Sequence, residues 1–276
     1  MSEYTDANRA NWDERATLHA DRGQHGYRVS RYIDDREAIS DVVRFDLPRL
    51  GSVEGLRAVH LQCHIGTDTL SLARLGAHVT GLDFSANAIE EAGRLVADTG
   101  DEVEFVVADV YDAAAVLGTG AFDLVFTGVG ALCWLPSVDR WAEVVAALLA
   151  PGGSLFVREG HPILWSMDER LDDDLHLRFP YWEREQPLEW DDDSTYVETT
   201  RPITATRTYE WNHSLGEIVT SLIRAGLRID LLEEHDSVPW EALPGQMLLR
   251  PDGEYALAAL EGDAPLSYTL RASRPA

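Results

Sequence analysis

The chain has 276 residues, enough for one sizeable α/β domain or for a domain with an elaborated cap, and 45% are hydrophobic, as in ordinary globular proteins. Its 23 basic residues, all arginine, face 48 acidic ones, and the net charge of −25 excludes nucleic acids and anionic membrane surfaces as main partners by repulsion. No window reaches the roughly 18 apolar residues of a membrane span, and the polar start lacks a signal-peptide pattern, so we expect a cytoplasmic protein.

The first fifty residues have helical patterns. The segment ANRANWDERATLHADR places Trp12 and Ala16 on one helical face, and DREAISDVVRFDLPRL continues with a second helix that should stop at Pro48 and Gly51. We interpret residues 1–50 as a helical lid that closes one side of a ligand site with its aromatic residues, Trp12, Tyr27 and Tyr32.

Residues 51–160 alternate between strands and helices. The strands are RAVHLQ, HVTGLD, VEFVVAD, FDLVFTG and SLFVREG, and the helices include TDTLSLARLG, SANAIEEAGRLVADTG and SVDRWAEVVAALLAPGG. Thr67 or Asp68 should cap the first of these helices, and Gly76 should end it. Continuous apolar strands that alternate with long helices predict a doubly wound parallel sheet, and we expect this segment to bind the cofactor.

The pattern changes after His161. Residues 161–210 are rich in aromatic and acidic residues without a helical period, which predicts an inserted cap over one end of the sheet, with solvated DDD triplets. Residues 211–276 return to a helix, NHSLGEIVTSLIRAGL, and two strands, RIDLLEEH and PLSYTLRAS. We therefore predict a single domain over residues 1–276.

The turn after the first strand departs from dinucleotide-binding turns. Such turns carry GxGxxG, because glycines let the backbone approach a pyrophosphate. Here QCHIGT keeps only Gly66, and Gln62 and His64 would obstruct that approach. The turn therefore favours a ligand that carries no phosphate.

Two acids end consecutive strands. Asp83 closes the second strand, where a carboxylate can accept hydrogen bonds from both hydroxyls of a ribose. Asp109 closes the third, where it can accept from an adenine amino group while the Val110 N–H serves a ring nitrogen. Each acid could instead be an ordinary aspartate of a turn or helix cap. Together they favour an adenosine ligand.

These segments resemble the class I S-adenosylmethionine-dependent methyltransferases. The resemblance is carried by AVHLQCHIGTDTLSLARLGAHVTGLDFSANAIEEA, VEFVVADV, FDLVFTGVGALCWL and LLAPGGSLFV, and it is greatest for a small-molecule branch whose first motif reads LQCHxGxDTLSLAR. Most class I enzymes have an acid and GxGxG where this chain has His60, Gln62 and His64. The resemblance implies a Rossmann-like, seven-stranded α/β sheet of order 3-2-1-4-5-7-6 with the last strand antiparallel. It also implies S-adenosylmethionine as cofactor, bound by Gln62, His64, Gly66, Thr67, Asp83, Phe84, Asp109, Val110 and Gly128.

Methyl transfer is an in-line displacement, so the protein mainly aligns the reactants, and a general base adds to the rate if the acceptor carries a proton. His161, after the fifth strand, and His213, before the late helix, are the candidate catalytic residues, because histidine suits proton removal near neutral pH. Alternatively, His161 orders the chain as it enters the insertion, and His213 caps the helix beside Ser214.

The aromatic residues of the cap indicate the type of acceptor. Several could wall an apolar pocket over the cofactor, namely Trp165, Phe179, Tyr181, Trp182, Trp190, Tyr196, Trp211 and Trp240. We expect methylation of O or N on a small, planar or apolar metabolite, aromatic or heterocyclic. The sequence leaves the oligomeric state open.

Other interpretations stay open at this stage. A nicotinamide-dependent oxidoreductase would also use Asp83, and a non-methylating cyclase or binding protein could use the same pocket. No spacing of acids singles out a magnesium site. Cys63 and Cys133 lie far apart without CxxC companions, so we expect two buried thiols and neither a disulfide nor a zinc site.

Overall fold

The computed structural model describes residues 3–22, 25–171, 174–199, 201–260 and 262–276. The strands of the described residues are β1 Arg57–Leu61, β2 His78–Asp83, β3 Glu104–Val107, β4 Phe122–Thr127, β5 Leu149–Gly160, β6 Leu188–Asp191, β7 Arg207–Glu210, β8 Arg228–His235, β9 Met247–Leu249, β10 Tyr255–Leu257 and β11 Ser267–Ser273. The helices are α1 Glu3–His19, α2 Ser30–Asp34, α3 Asp41–Leu50, α4 Thr67–Arg74, α5 Ala86–Thr99, α6 Ala113–Leu117, α7 Val138–Leu148, α8 Pro162–Trp165 and α9 Leu215–Arg224. Short 3₁₀ turns cover Val110–Asp112 and Leu132–Trp134.

Seven strands form one sheet in the order β3-β2-β1-β4-β5-β11-β8. The strands β1 to β5 pair in parallel, whereas β11 runs antiparallel to both β5 and β8. Because β8 and β11 are the sixth and seventh strands of this sheet along the chain, the predicted order 3-2-1-4-5-7-6 with an antiparallel last strand is confirmed. Parallel strands end at one edge, so the segments after β1, β2, β3 and β4 meet there.

Hydrophobic helix faces cover both sides of the sheet. On one side α7 buries Trp141, Val145 and Leu148, which its 3.6-residue period aligns, against Leu270 of β11. On the other side Leu72 of α4 belongs to a cluster with Phe126 and Phe156. Burying one such large side chain contributes about 2 kcal/mol, so this layered core stabilises the sheet.

Two helix boundaries differ from the sequence prediction. Gly66 occupies the position before α4 in a left-handed conformation, and no side chain caps the helix there, so the prediction of a Thr67 or Asp68 cap was wrong. Helix α3 passes Pro48 and ends at Leu50. Proline removes a single backbone donor, and the last turn still closes through Gly51 N–H to the Leu47 carbonyl at 3.3 Å.

A buried arginine joins the strands of the antiparallel half to α3. Arg158 of β5 is 0% exposed, and its guanidinium lies 2.9 Å from Glu254, 3.0 Å from Ser267 and 3.5 Å from Asp46 of α3. It also lies 3.8 Å from the centre of the Phe45 ring. A buried cation requires such partners, because desolvation alone would cost several kcal/mol.

The segments outside the sheet form small ribbons and a covering helix. The strands β6 and β7 pair antiparallel within residues 161–210, and β9 pairs with β10 in a ribbon that the sequence patterns did not predict. Helix α1 contacts α5 and β7. Among the described residues, every helix is too short or too polar to cross a bilayer.

Candidate functional site

The turn after β1 has an unusual backbone. Gln62 and His64 adopt φ values of 56° and 50°, and Gly66 follows at 77°. The left-handed region costs a residue with a side chain about 1–3 kcal/mol, so surrounding contacts must hold this turn. One of them is the Cys63 N–H, which donates to the Leu82 carbonyl at 3.0 Å. At Gly66 a Cβ atom would lie 2.9 Å from both Ala92 and Phe105, so glycine lets the turn pack against α5 and β3.

Asp83 holds the turn from the end of β2. Its side chain is buried and accepts hydrogen bonds from the His64 N–H at 2.8 Å and the Ser85 N–H at 2.9 Å. Burial raises the pKa of Asp83 to about 6, against the lowering effect of these two donors, and the nearby Asp13 adds to the rise. Each carboxylate oxygen keeps a second lone pair for a hydroxyl donor.

Two polar atoms of the turn are buried without a hydrogen-bond partner among the described residues. The Gln62 side chain donates to the Ala131 carbonyl at 2.8 Å, which leaves its Oε1 unpaired. His64 has Nε2 bonded at 2.8 Å to Nδ1 of His19, and its own Nδ1 is unpaired. Burying an unpaired polar group is costly, so these atoms suit a ligand that donates to them or accepts from them.

The other predicted cofactor residues lie on the neighbouring segments. The Ala108 N–H donates to the Asp83 carbonyl at 2.9 Å. Asp109 is the next residue of the chain, so it lies near the end of β2. Asp109 accepts from the Tyr111 N–H at 2.9 Å, and Val110 is buried. Phe84 lies under the Arg9 guanidinium at 5.7 Å.

Thr67 and Gly128 lie on the β1 and β4 sides of this edge. Thr67 is buried as the first residue of α4. A Cβ on Gly128, just after β4, would lie 3.2 Å from Asp68 Oδ2 and 3.5 Å from His60 Nε2. The structure therefore brings the predicted cofactor residues to one edge of the sheet.

Both candidate catalytic histidines have their two ring nitrogens engaged. His161 caps α8 by accepting from the Ile163 N–H at 3.1 Å, and its Nε2 lies 2.9 Å from Glu234. Burial lowers the pKa of His161, although Glu234 opposes this. Each nitrogen would have to lose a hydrogen bond before it could receive a proton from an acceptor.

His213 is held from three sides. Its Nε2 lies 2.8 Å from the Leu135 carbonyl and 3.1 Å from that of Leu132, and its Nδ1 lies 2.8 Å from Glu183. Burial raises the pKa of Glu183, but the hydrogen bonds from His213 and the Val138 N–H bring it below the usual value. His213 thus joins the cap to the turn after β4, and its catalytic role stays a prediction.

Glu159, at the end of β5, was missed by sequence reasoning. Its buried carboxylate accepts from the backbone N–H groups of Gly130 at 2.6 Å, Ala131 at 2.8 Å, Leu132 at 2.9 Å and Gly160 at 2.6 Å. Burial raises its pKa even so. Glu159 fixes the loop to which Gln62 also bonds. A third strand-end acid, in VREG, was the available sequence signal.

Helix α1 covers the turn after β1. Besides the bond between His19 and His64, the Asp13 carboxylate accepts from the Ser85 hydroxyl at 2.6 Å, and the Asn87 amide donates to the Asp13 carbonyl at 3.0 Å. Burial lowers the pKa of His64 to about 3, and Arg15 contributes to this. The helix is therefore bonded to the residues that hold the turn.

Beside this contact lies a group of half-buried side chains from distant segments, which we call the Arg15 cluster: Trp12, Arg15, Trp134, Trp190 and Glu210. The Arg15 guanidinium lies 5.2 Å from the Trp12 ring centre and 5.9 Å from that of Trp134. Trp190 donates its indole N–H to Glu210 at 3.0 Å. Of these five, only the two tryptophans Trp12 and Trp190 were singled out from the sequence.

The remaining predicted aromatic residues fall into different environments. Trp165 stacks on Trp240 at 5.6 Å, beside a separate hydrophobic cluster, and Trp182 is 63% exposed. Tyr196 is hydrogen-bonded to Tyr27. Trp211 is buried, and Phe179 packs edge-on against Trp190 at 5.0 Å. The structure thus does not bring all eight together as one wall.

Known proteins resemble the central part of the chain in sequence. Residues 59–155 match the family described as a methyltransferase domain. Over 103 residues the chain is 35% identical to the ubiquinone biosynthesis O-methyltransferase of Xanthomonas axonopodis pv. citri (strain 306), a match that covers 37% of this chain and 42% of that protein. The chain thus spans less than half the length of the curated relatives that it matches first.

Solved structures share this fold. An S-adenosylmethionine-dependent methyltransferase from Mesorhizobium loti aligns with a TM-score of 0.58 and 24% identity, covering 88% of this chain and 100% of its own. A Listeria monocytogenes protein assigned to the same class gives a TM-score of 0.60 at 17% identity, covering 86% of this chain and 99% of that one. The fold is that of the class I S-adenosylmethionine-dependent methyltransferases. The family match covers residues 59–155 of this fold, and membership of the LQCHxGxDTLSLAR branch stays a prediction.

Proposed function

We propose that the protein transfers the methyl group of S-adenosylmethionine to an oxygen or nitrogen of a small aromatic or heterocyclic metabolite. The observation that carries this proposal is the turn after β1, with two unpaired buried polar atoms beside the buried carboxylate of Asp83. The O-methyltransferase relative supports oxygen as an acceptor atom. The cytoplasmic location expected from the sequence belongs to the same proposal.

In this proposal different predicted site residues bind different parts of the cofactor. Gln62, His64, Gly66 and Thr67 hold the methionine end, and Asp83 accepts from the ribose hydroxyls. Phe84, Asp109 and Val110 hold the adenine, and Gly128 keeps the segment after β4 free of side-chain bulk. The helical segment 1–50 acts as a lid, and residues 161–210 cover the acceptor.

The chain's own contribution to catalysis is mainly positional. When bound, S-adenosylmethionine supplies an activated methyl group on a sulfonium, so the chemistry needs alignment and exclusion of water. Fixing the reactants in place can contribute about 7–11 kcal/mol. Asp83 rigidifies the turn after β1 and Glu159 rigidifies the loop after β4, because each carboxylate accepts from two or more backbone N–H groups.

The direct test is calorimetric titration with S-adenosylhomocysteine. We expect binding by the wild type and a loss of about 100-fold or more in Asp83→Ala, since each hydrogen bond to a charged group contributes about 1.5–3 kcal/mol. The matched control is Asp34→Ala, which removes an exposed acid at the end of α2 and should bind normally.

Other outcomes would point to other functions. Heat from NAD but not from S-adenosylhomocysteine would replace the proposal with an oxidoreductase. A protein that binds S-adenosylhomocysteine but transfers no labelled methyl group from S-adenosylmethionine to any compound of a metabolite extract would be a binding protein or a cyclase.

A further inference from the structure

We propose that Glu210 is the general base of this reaction, that Arg15 stabilises the oxygen that loses its proton, and that the acceptor group is therefore an aromatic hydroxyl. The inference rests on the proposed function and narrows its acceptor atom from oxygen or nitrogen to oxygen.

Backbone contacts fix the position of Glu210. It ends β7, and the next residue, Trp211, donates its N–H to the Cys133 carbonyl at 2.8 Å. The preceding residue, Tyr209, exchanges two hydrogen bonds of 2.8 Å with the side chain of Asn8. Glu210 is thus held between α1 and the 3₁₀ turn that follows β4 at the carboxyl edge of the sheet.

The surroundings of Glu210 suit a proton acceptor. Trp190 donates to its Oε2, at 3.0 Å. The titratable groups that act on it are Glu169 from the segment after α8, Arg15 from α1 and the Cys133 thiol. Burial, and then Glu169, raise the pKa of Glu210 to about 7, while Arg15 and Trp190 oppose the rise. A base of this pKa works well near neutral pH.

Arg15 lies near the turn after β1, because its guanidinium is 5.2 Å from the centre of the Trp12 ring and that ring lies 5.0 Å from the ring of His64. Its charge acts both on His64 of that turn and on Glu210. The guanidinium lies beside the rings of Trp12 and Trp134, and its buried Nε has no hydrogen-bond partner among the described residues. An unpaired donor beside aromatic surfaces suits an aromatic ring that carries an anionic or partly anionic oxygen.

The step balances in atoms and electrons. A lone pair of the hydroxyl oxygen forms the new bond to the methyl carbon, and the carbon–sulfur bond breaks with both electrons going to sulfur. The hydroxyl proton passes to the Glu210 carboxylate, and Arg15 stabilises the negative charge that develops on the oxygen. A protonated amine would be repelled by Arg15, which is the reason for assigning oxygen.

The first experiment measures methylation of a fixed panel: phenol, catechol, 4-hydroxybenzoate and 4-nitrophenol as hydroxyl probes, and aniline and tryptamine as amine probes. We expect methylated hydroxyl products from the wild type, and a kcat at least about 100-fold lower in Glu210→Gln, with unchanged affinity for S-adenosylhomocysteine. Arg15→Gln should lose most activity, and Arg15→Lys should recover part of it. Lysine keeps the positive charge but lacks the planar set of N–H donors of the guanidinium.

The pH profile separates Glu210 from a structural residue. In the wild type, kcat/KM should rise with pH through about 7, and Glu169→Gln should move this rise to lower pH because it removes a neighbouring negative charge. Glu189→Gln is the matched control: Glu189 is an exposed residue of β6 that pairs with Arg207, and the profile should not move.

Thermal unfolding gives a readout that is independent of turnover. A carboxyl group with a raised pKa stabilises the fold below its ordinary value of 4.5 and loses that contribution as the pH rises through about 7. Glu210→Gln should therefore melt at a higher temperature than the wild type at pH 8, and the difference should vanish near pH 4. An absent difference at pH 8 would overturn the assignment.

The results distinguish this inference from the proposed function. A protein that binds S-adenosylhomocysteine but methylates only amines, or none of the hydroxyl probes, overturns the inference and leaves cofactor binding intact. Full activity in Glu210→Gln also overturns it. A wild type that takes up no S-adenosylhomocysteine contradicts the proposed function, and with it the inference.

Discussion

The turn after β1 and the Arg15 cluster lie close together at the same edge of the sheet, but they are built differently. The turn is made by backbone: His64 N–H and Ser85 N–H converge on Asp83, and the residues involved span 62–85. The cluster is made by side chains from α1, the turn after β4, β6 and β7, which span residues 12–210.

This difference in construction suits the two regions to different kinds of ligand. A backbone-built turn is rigid and tolerates little change, which suits a ligand that is the same throughout a class of enzymes. A side-chain cluster can change composition without altering the fold, which suits an acceptor that differs between proteins. The following predictions test whether the two regions respond to mutation as this contrast requires.

The largest effect should follow Gly66→Ala in the turn. The new Cβ would lie 2.9 Å from Ala92 and Phe105, and alanine would have to adopt a φ of 77°. We expect a loss of about 3 kcal/mol in the free energy of unfolding, from strain and overpacking together. Chemical denaturation with urea measures it.

The control for this prediction is Gly93→Ala in α5. A Cβ atom at this position would meet no atom of another element within 4 Å, so alanine should stabilise the helix by about 0.5–1 kcal/mol. Equal effects of the two substitutions would show that the turn is not the constrained region that we describe.

A smaller effect should follow His64→Asn, which keeps the backbone N–H that Asp83 needs and removes the imidazole bonded to His19. We expect a loss of about 1–2 kcal/mol at pH 7, because the Nδ1 of His19 is left unpaired. The pKa of His64 is about 3, so its contribution to stability is present above pH 6.5 and is lost as the pH falls toward 3.

The variant should therefore lose less stability on acidification than the wild type, as measured by thermal unfolding from pH 7 to pH 4. His78→Asn, at an exposed position of β2, is the control and should follow the wild type. A parallel pH dependence of His64→Asn and the wild type would contradict the buried, neutral state of His64.

The smallest effect should follow Trp190→Phe in the Arg15 cluster. Loss of the indole donor raises the pKa of Glu210 further, since that hydrogen bond lowers it. One hydrogen bond contributes about 1 kcal/mol, so the rise of kcat/KM with pH should move up by less than about one unit. Trp182→Phe, at a 63% exposed position, should leave the profile unchanged. Stability should barely change in either variant.

The alternation of strands and helices was predictable from local patterns, and the strand order followed from the resemblance to the class I methyltransferases. Apolar runs such as AVHL and FDLVFT must be buried on both faces, and their alternation with helices requires a parallel sheet. Gly66 and Asp83 were recognisable because each stands at a fixed point of a strand–turn–helix unit. The cap of α4 was mispredicted, because Thr67 and Asp68 are ordinary capping residues and the backbone of Gly66 replaced them.

Sequence by itself thus determined the parallel sheet and the acids at its strand ends, because hydrophobic period and turn chemistry act between residues near each other in the chain. The order of the strands followed from the family resemblance. Only the tertiary structure decided that the charge of Arg15 acts on Glu210, that Glu159 accepts from four N–H groups, and that His161 and His213 have both nitrogens engaged. The pKa and the hydrogen-bond partners of a side chain depend on burial and on neighbours that fold in from distant segments, and no local pattern records them.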